Sequence, residues 1–226
     1  TIAEGGIWGK LTGVSVNIVS IFVIFGVILN SGEAGQGFMN LASLVAGHLK
    51  GGAAKVSVIS SALFGSISGS ASANVASTGA ITLPAMIRLN YPRPLAAAIE
   101  AVASSGGQIM PPLMGAGAFV MVELTGVPYI EIMKAALLPA MLYFIAVWVG
   151  INAFTHRYEL KGLPANEQPR IKQVLVTTGF FVLPFSILIW AMFGPGFTPP
   201  YAASWAILAA ALLLLLDGRL SFQKQR

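Results

Sequence analysis

The chain has 226 residues, of which 56% are hydrophobic and 9% charged, with a formal net charge of +5. Soluble domains carry roughly a quarter charged residues, so this composition, with a mean hydropathy of +0.79, describes a polytopic membrane protein. Cysteine is absent, which excludes a disulfide framework, a thiolate metal site and a cysteine nucleophile. The thirteen Lys and Arg stand singly or in short clusters at the ends of apolar runs, so the excess of positive charge reads as orientation signals and not as a nucleic-acid surface. The chain opens on Thr1 with no signal-peptide pattern, and the start reads as a cut.

In chain order, residues 11–30 read as a first spanning helix ended by Asn30-Ser31-Gly32. Residues 38–48 are too short to span; Phe38, Leu41, Leu44 and Val45 recur at helical spacing, so an interfacial helix is expected. From Val56 to Ile87 no charge occurs, yet the centre, Gly65 to Asn74, reads GSISGSASAN. A bilayer offers a broken backbone no water, so such a break is tolerated only where it is buried in protein or lines a wet cavity. Each half is marginal for a hydrocarbon core of about 30 Å, and a re-entrant helical hairpin over 53–88 is expected. Lys50 and Lys55 before it and Arg88 and Arg93 after it put both its ends on the cytoplasmic side.

A second discontinuous helix is expected over 95–124, broken at Ser104-Ser105-Gly106-Gly107-Gln108 ahead of Pro111 and Pro112, because proline cannot donate its amide and clashes with the preceding turn. A further span follows over 130–155. The loop 156–172 carries Arg157, Lys161, Arg170 and Lys172 against Glu159 and Glu167 and is expected to be cytoplasmic. Residues 173–226 hold two more membrane helices joined by Gly194 to Pro200, the second leading to Arg219, Lys224 and Arg226. Of the cations outside the spans, only Lys10 falls on the outer side, balanced by Glu4.

Simpler roles compete for the same residues. Gly65 and Gly69 fit a small-xxx-small packing pattern, Gln108 can satisfy freed backbone groups, and Asn17 and Asn74 can serve as hydrogen-bonding glue between helices. Glu100 and Glu123 stand at opposite ends of one span and read as solvated or interface-paired, not as proton carriers. His48 and His156 lie at span ends, and Met110, Met114 and Met121 read as packing. An intramembrane hydrolase using Ser70 or Ser105 would need a base about 3 Å from the hydroxyl, and none lies in the nearby apolar runs, so an enzyme is not expected. The membrane subunit of an ATP-driven importer would need a docking helix, which the loop 156–172 does not offer. An ion channel or other passive pore is the alternative, since carbonyl-lined breaks also build selectivity filters.

The stretch KGGAAKVSVISSALFGSISGSASANVASTGAITLPAMIRLNY, Lys50 to Tyr91, with AAAIEAVASSGGQIMPPLMGAGAFVMVELTG, Ala96 to Gly126, resembles the large membrane subunit of TRAP transporters, the tripartite ATP-independent periplasmic family. The ANVASTG and SSGGQIMPP wording looks most like fused permeases that work with TAXI-type binding proteins. The resemblance implies an all-α, elevator-type transporter half in the inner (cytoplasmic) membrane of a bacterium or archaeon. It further implies sodium-coupled uptake of a small organic anion, a carboxylate or amino acid, delivered by a periplasmic binding protein, with small-subunit helices as further partners and lipid around the bundle.

Carried over by the resemblance, residues 1–155 form the first transporter repeat, with the hairpin tip at Ser66 to Ser70 and the unwound stretch at Ser105 to Gln108. The substrate-binding residues implied are Ser68, Gly69, Ser70, Asn74 and Gln108. The implied sodium ligands are Ser66, Ser68, Ser70, Asn74, Gly106 and Gly107; oxygen donors suit a hard cation, and half-helix ends supply carbonyls near the bilayer midplane. No second GSISGS-like hairpin follows His156, so the chain is expected to be a fragment lacking the partner half of the site.

Overall fold

A computed structural model of the chain describes residues 9–32, 34–164 and 168–216, all helix and connecting turns with no strand among them. Glu4, Glu167, Arg219, Lys224 and Arg226 lie outside the described residues, as do the side chains of Lys10 and Lys172. The elements are α1 (Lys10–Val14), a π-helical turn (Ser15–Val19), α2 (Ser20–Ser31), α3 (Ala34–Ala46), α4 (Gly52–Ser68), α5 (Ala71–Arg88), α6 (Arg93–Gly106), a 3₁₀ turn (Gly107–Ile109), α7 (Ala116–Thr125), α8 (Tyr129–Tyr158), α9 (Ile171–Phe193) and α10 (Pro199–Leu216).

Among the described residues, two helical stretches are long and apolar enough to cross a bilayer: Thr12–Ser31, of mean hydropathy 2.3, and Tyr129–Tyr158, of mean hydropathy 1.9. Only 22% and 17% of their apolar windows are buried, whereas the core helix of a soluble protein buries most of its apolar surface. Along α8, Leu138 is 67% and Val149 60% exposed, which suits lipid as the surrounding solvent. The described apolar stretches Thr177–Phe193 and Pro199–Leu215 lie within α9 and α10. The chain is an all-helical membrane protein.

Helix α3 begins at Ala34, four residues before the expected start, and its buried face is not the expected stripe. Leu44 and Val45 are exposed, while Ala34, Phe38, Ala42 and Ala46 repeat every fourth residue on the covered side. Small residues there let α3 lie between α4 and α9. At Gly37 an added Cβ would come 2.7 Å from the Thr177 carbonyl oxygen of α9. Phe38 meets the Phe64 ring edge-on at 6.4 Å and the Phe181 ring at 4.3 Å. Ala202, Ala203, Ala206 and Ala210, all buried, give α10 a similarly flat face against α9 and α2.

Helices α4 and α5 fold back on each other and α6 packs along both. The base of this hairpin stands at the C-terminal end of α8. The Gly51 amide donates to the Leu160 carbonyl (3.2 Å), and Ala53, Ala54, Met86, Tyr91, Ile151 and Leu160 share one buried cluster. Beside α8, α4 runs from Lys55, whose ammonium lies 5.1 Å from the Trp148 ring centre, to a tip that lines one cavity with Ala135 and Ala136. Helix α8 continues through Tyr158, so the expected loop starts three residues late, at Glu159 in the left-handed region (φ 50°).

Gly37→Ala is expected to push α3 from α9 and destabilise the protein by about 1–3 kcal/mol. Gly117→Ala, where an added Cβ meets nothing within 4 Å, is its neutral control in a thermal melt of the detergent-purified permease.

Candidate functional site

The hairpin turns in two residues. Gly69 caps α4 with φ 58° and donates its amide to the Gly65 carbonyl (2.9 Å), a left-handed ending natural to glycine. Ser70, in extended conformation, caps α5 by accepting from the Ala73 amide (3.3 Å). A Cβ on Gly69 would fall 1.8 Å from the Met114 carbonyl oxygen, so the position excludes larger residues on sterics as well as on φ.

The second break lies against this tip. Helix α6 ends at Gly106, one 3₁₀ turn follows, and the chain stays irregular until Gly115, through a cis Pro111-Pro112 bond. The Leu113 amide donates to the Ser66 carbonyl (3.2 Å) and the Gly115 amide to the Gln108 carbonyl (2.8 Å). Tyr129 donates through its hydroxyl to the Leu113 carbonyl (3.0 Å) and lies close to that of Pro112. At the crossing, a Cβ on Gly65 would fall 2.2 Å from the Gly107 Cα, so the two backbones touch with no side chain between them.

The sequence-predicted residues fall into two groups. Ser68, Gly69, Ser70 and Gln108 line open space. A cavity of about 730 Å³ runs past Gly69, Ser70 and Gln108 to Met121 and Ala135, and one of about 290 Å³ on the other side of the tip is lined by Ser68, Ser70, Ser77 and Phe22 of α2. Ser66, Asn74 and Gly107 are buried in the seam between the breaks, while Gly106, also buried, faces α8, where an added Cβ would come 2.5 Å from the Tyr143 ring. Asn74, 0% exposed, donates from Nδ2 to the carbonyls of Ser61 on α4 (2.9 Å) and Ser104 on α6 (3.4 Å), and its Oδ1 lies 3.3 Å from the Thr78 hydroxyl. Ser66 bonds back to the Leu63 carbonyl (2.7 Å), and Ser105 points out and bonds the Ala101 carbonyl (2.8 Å).

Glu100 corrects the sequence reading. It is not solvated or paired at an interface but 1% exposed, facing Ser57 of α4 at 2.7 Å, Thr78 of α5 at 2.5 Å, Thr82 of α5, and Ser104 of its own helix at 3.4 Å. The reason is the packing of α6 along the hairpin, with Gly79 leaving room where a Cβ would come 3.1 Å from the Glu100 Cγ. A carboxylate only accepts, and hydroxyls supply the donors. Ser57 with Ser61, and Asn74 with Thr78 and Thr82, recur at four-residue spacing, a polar stripe in each arm that would have announced a buried partner.

The chain matches the family described as "Tripartite ATP-independent periplasmic transporter, DctM component" over residues 1–226. It belongs to the DctM family. It is 27% identical over 209 residues to a C4-dicarboxylate TRAP transporter large permease protein of Pseudomonas aeruginosa, covering 90% of this chain and 48% of that one. To an ectoine TRAP transporter large permease protein of Halomonas elongata it is 26% identical over 208 residues, 88% and 46% of the two chains. An isethionate TRAP transporter permease protein, DctMQ, of Oleidesulfovibrio alaskensis is 36% identical over 94 residues, 42% of this chain and 15% of that one. This DctM chain spans about half the length of the first two relatives. The relatives are transporter permeases, and the chain is not an enzyme.

Gly69→Ala adds strain of about 1–2 kcal/mol for the left-handed backbone, besides the overlap with Met114. It is expected to cost the intact permease nearly all uptake, whereas Ile87→Val, on the exposed C-terminal turn of α5 away from the tip, leaves uptake within about twofold, the scatter of an exposed substitution. Transport into proteoliposomes at matched protein content checks both.

Proposed function

We infer that this chain is one half of a secondary-active permease in the inner membrane, taking up a small organic anion delivered by a periplasmic binding protein and coupled to sodium. The observation that carries the reading is the contact of two broken helices, tip against unwound stretch, beside a cavity of about 730 Å³. Helix ends leave backbone carbonyls and amides without intrahelical partners, and two such ends at one place offer oxygens to a cation and amides to an anion. In this reading the carbonyls of Ser66, Gly106 and Gly107 and the hydroxyls of Ser68 and Ser70 hold sodium. Asn74 adds an oxygen whose direction is set by the Nδ2 bonds to the Ser61 and Ser104 carbonyls. Ser68, Gly69, Ser70 and Gln108, which line the cavities, meet the substrate, and the buried Asn74 acts on it only through the seam it holds.

The names of the relatives, C4-dicarboxylate, ectoine and isethionate, support a small charged organic solute and no single choice among them. A TAXI-type binding protein is supported by the ANVASTG and SSGGQIMPP wording, and fused small-subunit helices by the DctMQ relative. An elevator movement, in which hairpin and broken helix travel together, accords with the seam that joins them.

The test is substrate uptake by the intact permease in proteoliposomes, with its binding protein, at stepped sodium concentrations. Uptake is expected to rise with sodium and to need more of it in Ser70→Ala, since one lost oxygen ligand is worth about 0.5–1.5 kcal/mol, or two- to tenfold in concentration. Full uptake without sodium would overturn the coupling.

A further inference from the structure

Helices α4 and α8 leave an apolar groove of about 460 Å³ between them, lined by Ile59, Ala62 and Leu63 of α4 and by Met141, Ile145 and Trp148 of α8. Unlike the two cavities at the tip, it has no hydroxyl-bearing or charged side chain in its lining. Met141 and Ile145 are 51% and 54% exposed, so the groove opens outward from the bundle. By helical periodicity these residues stand on the opposite face of α8 from Ala135 and Ala136, which line the larger tip cavity.

Shape limits the occupant. Helix contacts elsewhere in this protein are made by small residues, the alanines of α3 and α10 and Gly65 against Gly107, as close packing in a membrane requires. The groove presents long, branched and aromatic side chains around a single alanine. From Lys55 to Leu63 it is about 12 Å long, and a helix segment of that length and about 10 Å across takes up roughly 900 Å³, twice the space available. A helix would rest on the rim and leave the groove unfilled, whereas one flexible hydrocarbon chain enters it.

Charge identifies what the chain is attached to. Lys55 is 6% exposed, its ammonium lies 5.1 Å from the centre of the Trp148 ring at the end of the groove, and among the described residues no carboxylate pairs with it. A ring face offsets only part of the hydration that a buried cation has lost, and an anionic oxygen would supply the rest. Lys50, Arg157 and Lys161 belong to the same end of the molecule, where the Gly51 amide meets the Leu160 carbonyl. Basic pockets between helices on the cytoplasmic side attract anionic lipid head groups.

We propose that the groove between α4 and α8 is a binding site for an anionic phospholipid, with an acyl chain along Ala62, Leu63, Met141 and Ile145 and the phosphate against Lys55. The lipid lies with its head toward the hairpin base and its tail toward the tip, and it supplies both the apolar filling and the counter-charge that the protein leaves out. The site is separate from the sodium and substrate reading and does not depend on it.

The test is photolabelling of the intact permease in proteoliposomes by phosphatidylglycerol or phosphatidylcholine carrying a diazirine in the acyl chain, read by peptide mass spectrometry. At equal mole fraction, phosphatidylglycerol is expected to label residues 58–63 and 141–148 about fivefold more than phosphatidylcholine, the worth of one lysine at an anionic surface. The outward face of α10, residues 208–215, is the reference surface and should take up both lipids alike. Lys55→Met keeps a chain over Trp148 without its charge and is expected to bring the groove ratio to about one. Ala62→Phe fills the groove and is expected to lower labelling there by both lipids while the reference surface is unchanged. Equal labelling of the wild-type groove by the two lipids would overturn the proposal, as would a ratio that survives Lys55→Met or labelling that survives Ala62→Phe. Absence of labelling in the groove, the result if the remainder of the permease covers it, overturns it as well. None of these measurements involves sodium or uptake, so a failure of the proposed coupling leaves them to decide the lipid site.

Discussion

The approach of Gly65 to Gly107 is the constraint on which the rest of the site depends. With no side chain on either residue, α4 and the 3₁₀ turn after α6 come into backbone contact. That contact lets the Leu113 amide reach the Ser66 carbonyl and lets Asn74 span two helices with one amide group. A methyl group at the crossing would separate the breaks and leave buried carbonyls and amides without partners, at about 1–3 kcal/mol for each group. The glycines of GSISGS and SSGG therefore do more than interrupt helices: they determine how near the interrupted ends can come.

Hydroxyls lie behind this contact where a soluble protein would place apolar side chains. Lipid drives helices together no more strongly than it solvates them, so close packing and hydrogen bonds must hold a bundle in the membrane. Ser57, Ser61, Thr78, Thr82 and Ser104 are all buried, and each faces another element of the hairpin or α6. Glu100 gathers four of them. The joint between hairpin and broken helix is accordingly polar and directional, while α9 and α10 meet the remainder through rings and alanines together with the buried Asn40–Thr177 hydrogen bond (3.2 Å).

Most of the architecture was legible because glycine and proline punctuate it. The two-residue turn at Gly69-Ser70 and the irregular stretch before Gly115 fall where GSISGSASAN and SSGGQIMPP interrupt apolar runs. Boundaries were less legible. Helix α3 starts at Ala34 because Gly35, Gln36 and Gly37 are tolerated in a helix that packs by small residues, though they break an apolar stripe. The π turn at Ser15–Val19 left no pattern in an apolar run. Glu100 was misread because a charge near the end of an uncharged stretch resembles a span end. Its partners on the hairpin stand 18 to 43 positions away, and only the folding of α6 onto both arms brings them together.

Tyr129 stacks on Phe119 with ring centres 4.6 Å apart and planes within 3°, and Phe119 stacks on Phe22 at 5.2 Å. This column of rings runs from α2 to the tyrosine whose hydroxyl holds the carbonyls of the unwound stretch. In the proposed movement α7, the second half of the broken helix, would travel with the hairpin, and the Phe22–Phe119 stack would have to shear. Each ring pair is worth about 0.5–1.5 kcal/mol beyond the area it covers, so in such a movement the Phe22–Phe119 contact would act as a detent, resisting small displacements and releasing for large ones.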